Sequence, residues 1–432
     1  MINFLSFVFL SILLSACSFH DSGGFWTKEK KLKQDEIQFI SVKKKEEINT
    51  KEFNSNYQIL LDPAKLKINK STKFNNNDGY TLFKGNLKNI KKYNFSKIRN
   101  YNLFEPNLTF YNQNIIFFDN NGTILNFDNQ SKLIWKINNY SKDEKKSGPL
   151  PNIAKSNNKL LIVDNLAKLY SIDIDTGKIL WSKKSKNPSN SQIKIFEDKF
   201  FVIDSNNSLN CYSITTGNLI WSFKTEKPFV NSFKKLSLVI KNNSVIFNNS
   251  LGDITSINID SGSLNWQIST QNSSIYEEIM KLKNSILIEN ENSIYFSNNK
   301  NQFFSIDIES GALNWIQNIN SYLKPTIIEN LIFTISLDGY FFVIDKESGN
   351  VLRITNLFKD PKIKKKNFSP SGFVMNSKEL FISTNQGKLL IVDIKNGNIK
   401  NILKIDNNKI SRAFIKKQNM YLVKDNSIIK LN

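Results

Sequence analysis

Histidine occurs once in the 432 residues, at position 20, and cysteine twice, at positions 17 and 211. A single imidazole beside the amino terminus leaves the body of the chain without one. That excludes a Ser-His-Asp or Cys-His nucleophilic site there, and a histidine-based zinc site. Arginine is nearly as scarce: Arg99, Arg353 and Arg412 are the only ones. The net charge of +21 is therefore almost wholly lysine. Arginine is the side chain suited to bidentate phosphate and base recognition, so a Lys- and Asn-rich, Arg-poor chain reads as the product of an AT-biased genome and not as a nucleic-acid binder. Attraction to acidic partners or anionic lipid, screened by salt, is the consequence that the charge leaves open. No Gly-rich loop follows a strand and opens a helix, as a phosphate cradle requires. No stretch has sustained helical periodicity with caps.

Long apolar runs are also missing. The first sixteen residues carry no charged side chain, and Phe4 to Leu14 is apolar. That run is too short to cross a bilayer as a finished helix, but it fits the core of a signal peptide. It ends in Leu14-Ser15-Ala16-Cys17, which resembles a bacterial lipobox. The resemblance implies that Cys17 becomes the lipidated first residue of the mature chain. Ser18 in the next place implies, by enterobacterial sorting rules, the outer membrane. With Cys17 lipidated no intramolecular disulfide can form, and Cys211, in the strand-like run Leu209 to Ile214, reads as a small buried hydrophobe. Residues 17–79 read as a lipidated terminus and tether, with charge clusters at Lys28–Lys33 and Lys43–Glu47 and a polar tract at Asn69–Asp78. One strand-like stretch, Ile37 to Val42, interrupts it.

What the sequence does have is a repeat. The phrase runs Asp-Thr-Gly177-Lys-Ile-Leu-Trp181, Thr-Thr-Gly217-Asn-Leu-Ile-Trp221, Asp-Ser-Gly262-Ser-Leu-Asn-Trp266 and Glu-Ser-Gly311-Ala-Leu-Asn-Trp315. An earlier copy has Ser131 in the Gly place and Trp135 four residues on; later copies keep Gly349 and Gly397 but put Arg353 and Asn401 in the Trp place. A period of about 40–50 residues marks a solenoid, propeller or array. Each unit holds short runs rich in Ile, Val, Phe, Leu and Tyr between polar turns, about four strands per unit, which is a propeller blade. The copies predict an all-β, eight-bladed β-propeller over residues 80–432, or seven blades if the last hairpin caps the ring instead of closing it. Closure needs an outer strand from the N-terminal side, within Tyr80–Phe95, to complete the blade begun by the last two C-terminal strands. Gly in the turn permits positive φ, and Trp on the following strand offers a rigid face to the neighbouring blade. Looser packing, or a substitute contact, is expected at Arg353 and Asn401. Asp119, Asp164, Asp173, Asp204, Asp307, Asp345 and Asp393 recur in register at strand ends, which predicts turn hydrogen bonds and no converging catalytic cluster.

The Gly-x-x-x-Trp signature resembles the quinoprotein (PQQ-type) propeller repeat over about residues 105–432. Two groups share it: PQQ-dependent dehydrogenases, and BamB-type lipoproteins of the outer-membrane β-barrel assembly machinery. Lipobox, polar tether and a single propeller match the second group in order and size, and the vicinal disulfide of the dehydrogenases has no counterpart here. The resemblance implies a non-catalytic scaffold without cofactor, metal or small-molecule substrate, held at the periplasmic face of the outer membrane. It implies docking on the POTRA domains of the barrel-inserting subunit through loops between central blades. The corresponding segments are about 225–243, offering Phe233, Lys234 and Lys235, and 269–284, offering Glu277 and Glu278. The alternatives are a periplasmic PQQ-dependent oxidoreductase, which predicts a funnel of convergent carboxylates, and a cell-wall-binding propeller. The densest basic patch, Lys359 to Lys366, reads as a solvated insertion or a contact for lipid headgroups.

Overall fold

In a computed structural model the chain is described over residues 51–61, 77–228, 235–270, 284–298, 301–359, 363 and 368–432. All of these belong to one compact unit, Glu47–Asn432. The strand-like stretch expected at 37–42 lies outside them.

Eight antiparallel sheets of four strands each follow one another along the chain and form a ring. Blades 1 to 7 span residues 109–137, 152–184, 194–224, 238–269, 288–318, 326–356 and 370–404. Blade 8 takes its three inner strands from the C-terminus, Phe414–Lys416, Asn419–Lys424 and Ser427–Leu431, and its outer strand, Ile90–Asn94, from the N-terminal side. The register Ile90↔Leu431 through Asn94↔Ser427 closes the ring, as the sequence predicted.

Burial along each blade follows strand order. The second and third strands carry four successive buried residues, as in Leu160–Val163 and Leu169–Ser171 with Ile172, because both of their faces meet a neighbouring blade. The outer strands are mostly exposed, and the residue in the Trp place turns inward, joined by Phe223 in blade 3 and Ile268 in blade 4. In blade 2 the polar turn is tied by Asp173, whose Oδ1 accepts from Thr176 N at 2.9 Å and Thr176 Oγ1 at 2.7 Å. Asp307 and Asp345 bond Ser310 and Ser348 in the same way. Asp119, Asp164, Asp204 and Asp393 likewise accept from backbone N–H groups of their own turns. The recurrent aspartates are thus Asx-turn residues.

Each repeat Trp reaches across to the next blade's turn glycine. Trp135 lies over Gly177, Trp181 over Gly217, Trp221 over Gly262, Trp266 over Gly311 and Trp315 over Gly349. A Cβ on any of these glycines would sit 2.5–2.9 Å from an indole carbon. Their φ values of 69–75° also exclude an ordinary side chain without strain. The indole Nε1 donates to a carbonyl three residues before that glycine, for example Trp221 to Ile259 O at 3.0 Å and Trp181 to Ile214 O at 2.9 Å. One tryptophan thereby supplies apolar area, a satisfied N–H and a shape that only glycine admits.

The three junctions without Trp are solved differently. Arg353 occupies the Trp register, opposite Val343, and is 2% exposed. Its Nε donates to Thr355 Oγ1 at 2.8 Å and its Nη1 to Tyr57 O at 3.4 Å. Thr355, two residues on, supplies the methyl group that lies against Gly397. Residues from the stretch expected to be a tether cover this strand: Phe53 and Ile354 exchange both backbone hydrogen bonds, at 3.1 and 3.0 Å. Asn401 is exposed. The turn that would receive it does not exist in blade 8, because the third and fourth strands of that blade, Ser427–Leu431 and Ile90–Asn94, are not consecutive in the chain. At the seam between blades 8 and 1, Tyr93 takes the tryptophan's part. It is fully buried, its ring lies 5.8 Å from Phe127, and its hydroxyl donates to Asn129 O at 3.4 Å, beside the turn that holds Ser131 in the glycine place.

Tyr93→Ala is therefore expected to destabilise the ring as Trp221→Ala does, each by about 3 kcal/mol or more. Asn401→Ala, facing no receiving turn, is expected to stay within about 0.5 kcal/mol. Urea midpoints of the three variants check this; an effect of Asn401→Ala equal to the other two contradicts it.

Candidate functional site: the central channel

The inner strands of the blades are short, often three residues as in Lys194–Phe196, Thr326–Ile328 and Phe414–Lys416. They converge on the axis, so the residues on and just before them face a common space. That space is a cavity of about 240 Å³. Its lining includes five cationic side chains, Lys194, Lys235, Lys324, Lys409 and Arg412, against two carboxylates, Asp78 and Glu105. The cations come from blades 3, 4, 6 and 8 and the approaches to them, so only ring closure brings them together.

Asp78 arrives from the N-terminal side by a backbone path that needs glycine. Residues 77–81 pass between the inner strands of blades 6 and 7. Asn77 exchanges side-chain bonds with the backbone of Ile327, and Gly79 O accepts from Met375 N at 2.9 Å. A Cβ on Gly79 would overlap Thr326 Oγ1, at 1.7 Å. This approach sets Asp78 Oδ1 at 2.6 Å from Lys324 Nζ and 3.0 Å from Arg412 Nη1. Arg412 is held in turn by Nε donating to Phe373 O at 2.8 Å. It packs against Gly372, where a Cβ would lie 2.5 Å from the Arg412 Cβ.

The cations are mutually unfavourable. Burial in the channel, reinforced by the Lys324 charge, pushes the Lys194 ammonium down to about 7, with Asp78 and Glu289 opposing. Burial pushes Lys235 down to about 8, with Glu105 opposing. Lys324 and Lys409 are lowered by burial as well. Asp78 goes the other way. Burial alone would raise it, but Arg412 and Lys324 together outweigh that and hold its carboxyl well below the usual carboxylate range. Its side chain remains 55% exposed.

A cavity so lined can hold anionic oxygen atoms. It is a poor host for calcium, which asks for six to eight mostly anionic or carbonyl oxygens. Among the described residues no group of three or more His, Cys, Asp and Glu could hold a metal ion. Of the residues the sequence singled out for partner contact, Phe233, Lys234, Glu277 and Glu278, and the lipidation site Cys17, lie outside the described residues. Lys235 is described, and it lines the channel. Lys194, Lys324, Lys409, Arg412 and Asp78 were not singled out from sequence. The available signal was a lysine just before a unit's first apolar run, as in Lys235-Leu236, Lys324-Pro325 and Lys409-Ile410.

Fold and repeat together define an eight-bladed propeller of PQQ-like repeats. The family described as "Outer membrane protein assembly factor BamB" matches residues 120–355, over half of the chain. The chain belongs to that family. Among solved structures, BamB from Moraxella catarrhalis is similar, at 15% identity and a TM-score of 0.64, over 79% of this chain and all of that one. A computationally designed protein is similar at 13% identity and a TM-score of 0.58, over 78% of this chain and 99% of that one. A europium-containing methanol dehydrogenase is similar at 12% identity and a TM-score of 0.58, over 78% of this chain and 85% of that one. These likenesses concern the fold. No curated protein matches the sequence. Among the described residues no helix is long and apolar enough to cross a membrane.

The Asp78 contacts carry a pH dependence with a definite sign. A carboxyl lowered in the folded state contributes stability that is present above its unfolded value, near 3.8, and is lost as pH falls toward the folded one. The wild-type chain is expected to be more stable than Asp78→Asn at about pH 6, with the gap shrinking below about pH 4. Denaturant midpoints across that range check it; a gap of equal size at both ends contradicts it.

Proposed function

We propose that the chain is a non-catalytic scaffold of the outer-membrane β-barrel assembly machinery. It docks on the periplasmic domains of the barrel-inserting subunit and is kept at the membrane by lipid on Cys17. The observation that carries this reading is the family match across residues 120–355, which takes in the last two strands of blade 1 and all but the final residue of blades 2 to 6. The action is positional. A ring whose blades are stapled to one another presents its loops in a fixed array, so a partner meets a preorganised surface and loses little to ordering it. More than one acyl chain on the lipoprotein amino terminus would make attachment stable, since a single chain binds membranes only marginally.

The channel bears on the rival reading. A quinoprotein oxidoreductase calls for convergent carboxylates around its cofactor and cation, whereas this channel presents five cations to two carboxylates. That composition supports the scaffold over the enzyme.

Calorimetry of the full-length chain in detergent against the periplasmic domains of the same organism's barrel-inserting subunit tests the proposal. Saturable binding is expected, weakening with salt in proportion to the lysines at the interface. Absence of binding at high micromolar concentration overturns it. A spectral change on titration with PQQ and calcium would reinstate the enzyme.

A further inference from the structure

We propose that the central channel is a binding site for a compact multivalent oxyanion, a small molecule carrying two or more clustered phosphate or carboxylate groups. The inference does not depend on the scaffold reading.

The first ground is where the charge lies. A lysine-rich composition by itself distributes lysines over solvated surface, where they cost nothing. Here Lys194, Lys235, Lys324 and Lys409 are drawn with Arg412 into one cavity from separate blades. Gathering these cations in a confined space carries a cost to the folded chain: burial lowers all four lysines, and the Lys324 charge adds to it at Lys194 and the Arg412 charge at Lys324. A bound anion removes it.

The second ground is the chain's own carboxylate. Asp78 sits between Lys324 and Arg412 at charge-assisted hydrogen-bond distance. The channel thus already holds one oxyanion in the geometry a ligand would use. Asp78 makes its ion pairs on that side, and its charge also favours the charged form of Lys194. Lys235 forms no hydrogen bond or ion pair among the described residues. Lys409 Nζ donates to backbone carbonyls, Asn102 O at 3.2 Å and Phe104 O at 3.3 Å, and the one carboxylate whose charge opposes the lowering of Lys409 and of Lys235 is Glu105. The buried Arg412 Nη2 has no hydrogen-bond partner among the described residues.

The third ground is size. With about 30 Å³ per water in the liquid, a cavity of about 240 Å³ has room for a molecule of pyrophosphate or tricarboxylate dimensions. Folded macromolecules are too large for it. Binding must also draw in protons. Burial lowers Lys194 to about 7 and Lys235 to about 8, and an anion beside them favours their charged forms.

The test is calorimetry of the full-length chain with pyrophosphate and, separately, citrate, at low ionic strength. Acetate at matched ionic strength is the monovalent control. Saturable binding of one ligand per chain is expected for at least one of the two, and which one binds tells phosphate from carboxylate chemistry. Lys194→Gln and Lys235→Gln should each weaken it by about tenfold, the loss of one charge-assisted hydrogen bond. Lys146→Gln, on an exposed helix outside the channel, should leave it unchanged. Thermal unfolding of each variant confirms that the ring is intact. Proton uptake near pH 7.5, read from heats in two buffers of different ionisation enthalpy, should fall in the channel variants. Binding equal in all variants, or no saturable binding of either anion, overturns the proposal.

Discussion

The structure depends on an indole of one blade lying on the bare Cα of the next. A propeller blade has two apolar faces, and neither is satisfied until a neighbour covers it. The buried middle strands do this with mixed aliphatic and aromatic packing, as where Phe200 stacks on Tyr212 and Phe333 on Phe341. At the outer edge, where strands are exposed, the five Trp–Gly contacts fix the angle and spacing between blades. They work because three requirements coincide at one glycine: positive φ to turn the chain, no Cβ to clear the ring, and a carbonyl three residues earlier to take the indole N–H. Substitution of the glycine strains the turn and displaces the ring, and substitution of the tryptophan removes both the ring contact and the N–H that the carbonyl accepts.

The exceptions follow from the same constraint. Blade 8 is assembled from both ends of the propeller, so it lacks the turn that a tryptophan of blade 7 would cover, and Asn401 stands there instead. The seam still needs a staple, and Tyr93 provides one from the strand that closes the ring. At blade 6 the staple is divided between Thr355, which covers Gly397, and Arg353, whose guanidinium is buried among backbone and hydroxyl acceptors with the 51–61 segment over it. Ring rigidity has a consequence at the axis. Inner strands that cannot splay apart keep Lys194, Lys235, Lys324, Lys409 and Arg412 confined together despite their repulsion. The family to which the chain belongs accounts for the ring. The charge within it is a property of these residues.

Much of the architecture was legible because a repeat multiplies a weak local signal. Gly177 and Trp181 alone would be an ordinary turn and strand; several copies in register give blade count, strand order and the place of the missing outer strand. The aspartates at strand ends were legible for the same reason. Tyr93 was not, since a phenol outside the written motif does an indole's work and its partner turn carries Ser131 in place of glycine. Nor were the channel cations. With 59 Lys and Arg in the chain, no individual lysine stands out, and their convergence is a fact of ring closure between residues far apart in sequence. Asp78 was read as the end of a polar tract because its role depends on Gly79 passing Thr326, a contact with no local sequence signature. Lys235, singled out as a loop residue for partner contact, occupies the channel lining.

The claim that this chain serves barrel assembly is tested most directly in cells of its own organism. The measurement is the folded fraction of outer-membrane β-barrel proteins, by heat-modifiable mobility, as the chain is depleted and then restored. The account predicts that the folded fraction falls on depletion and recovers with the wild-type chain. An unchanged folded fraction after complete depletion would contradict it.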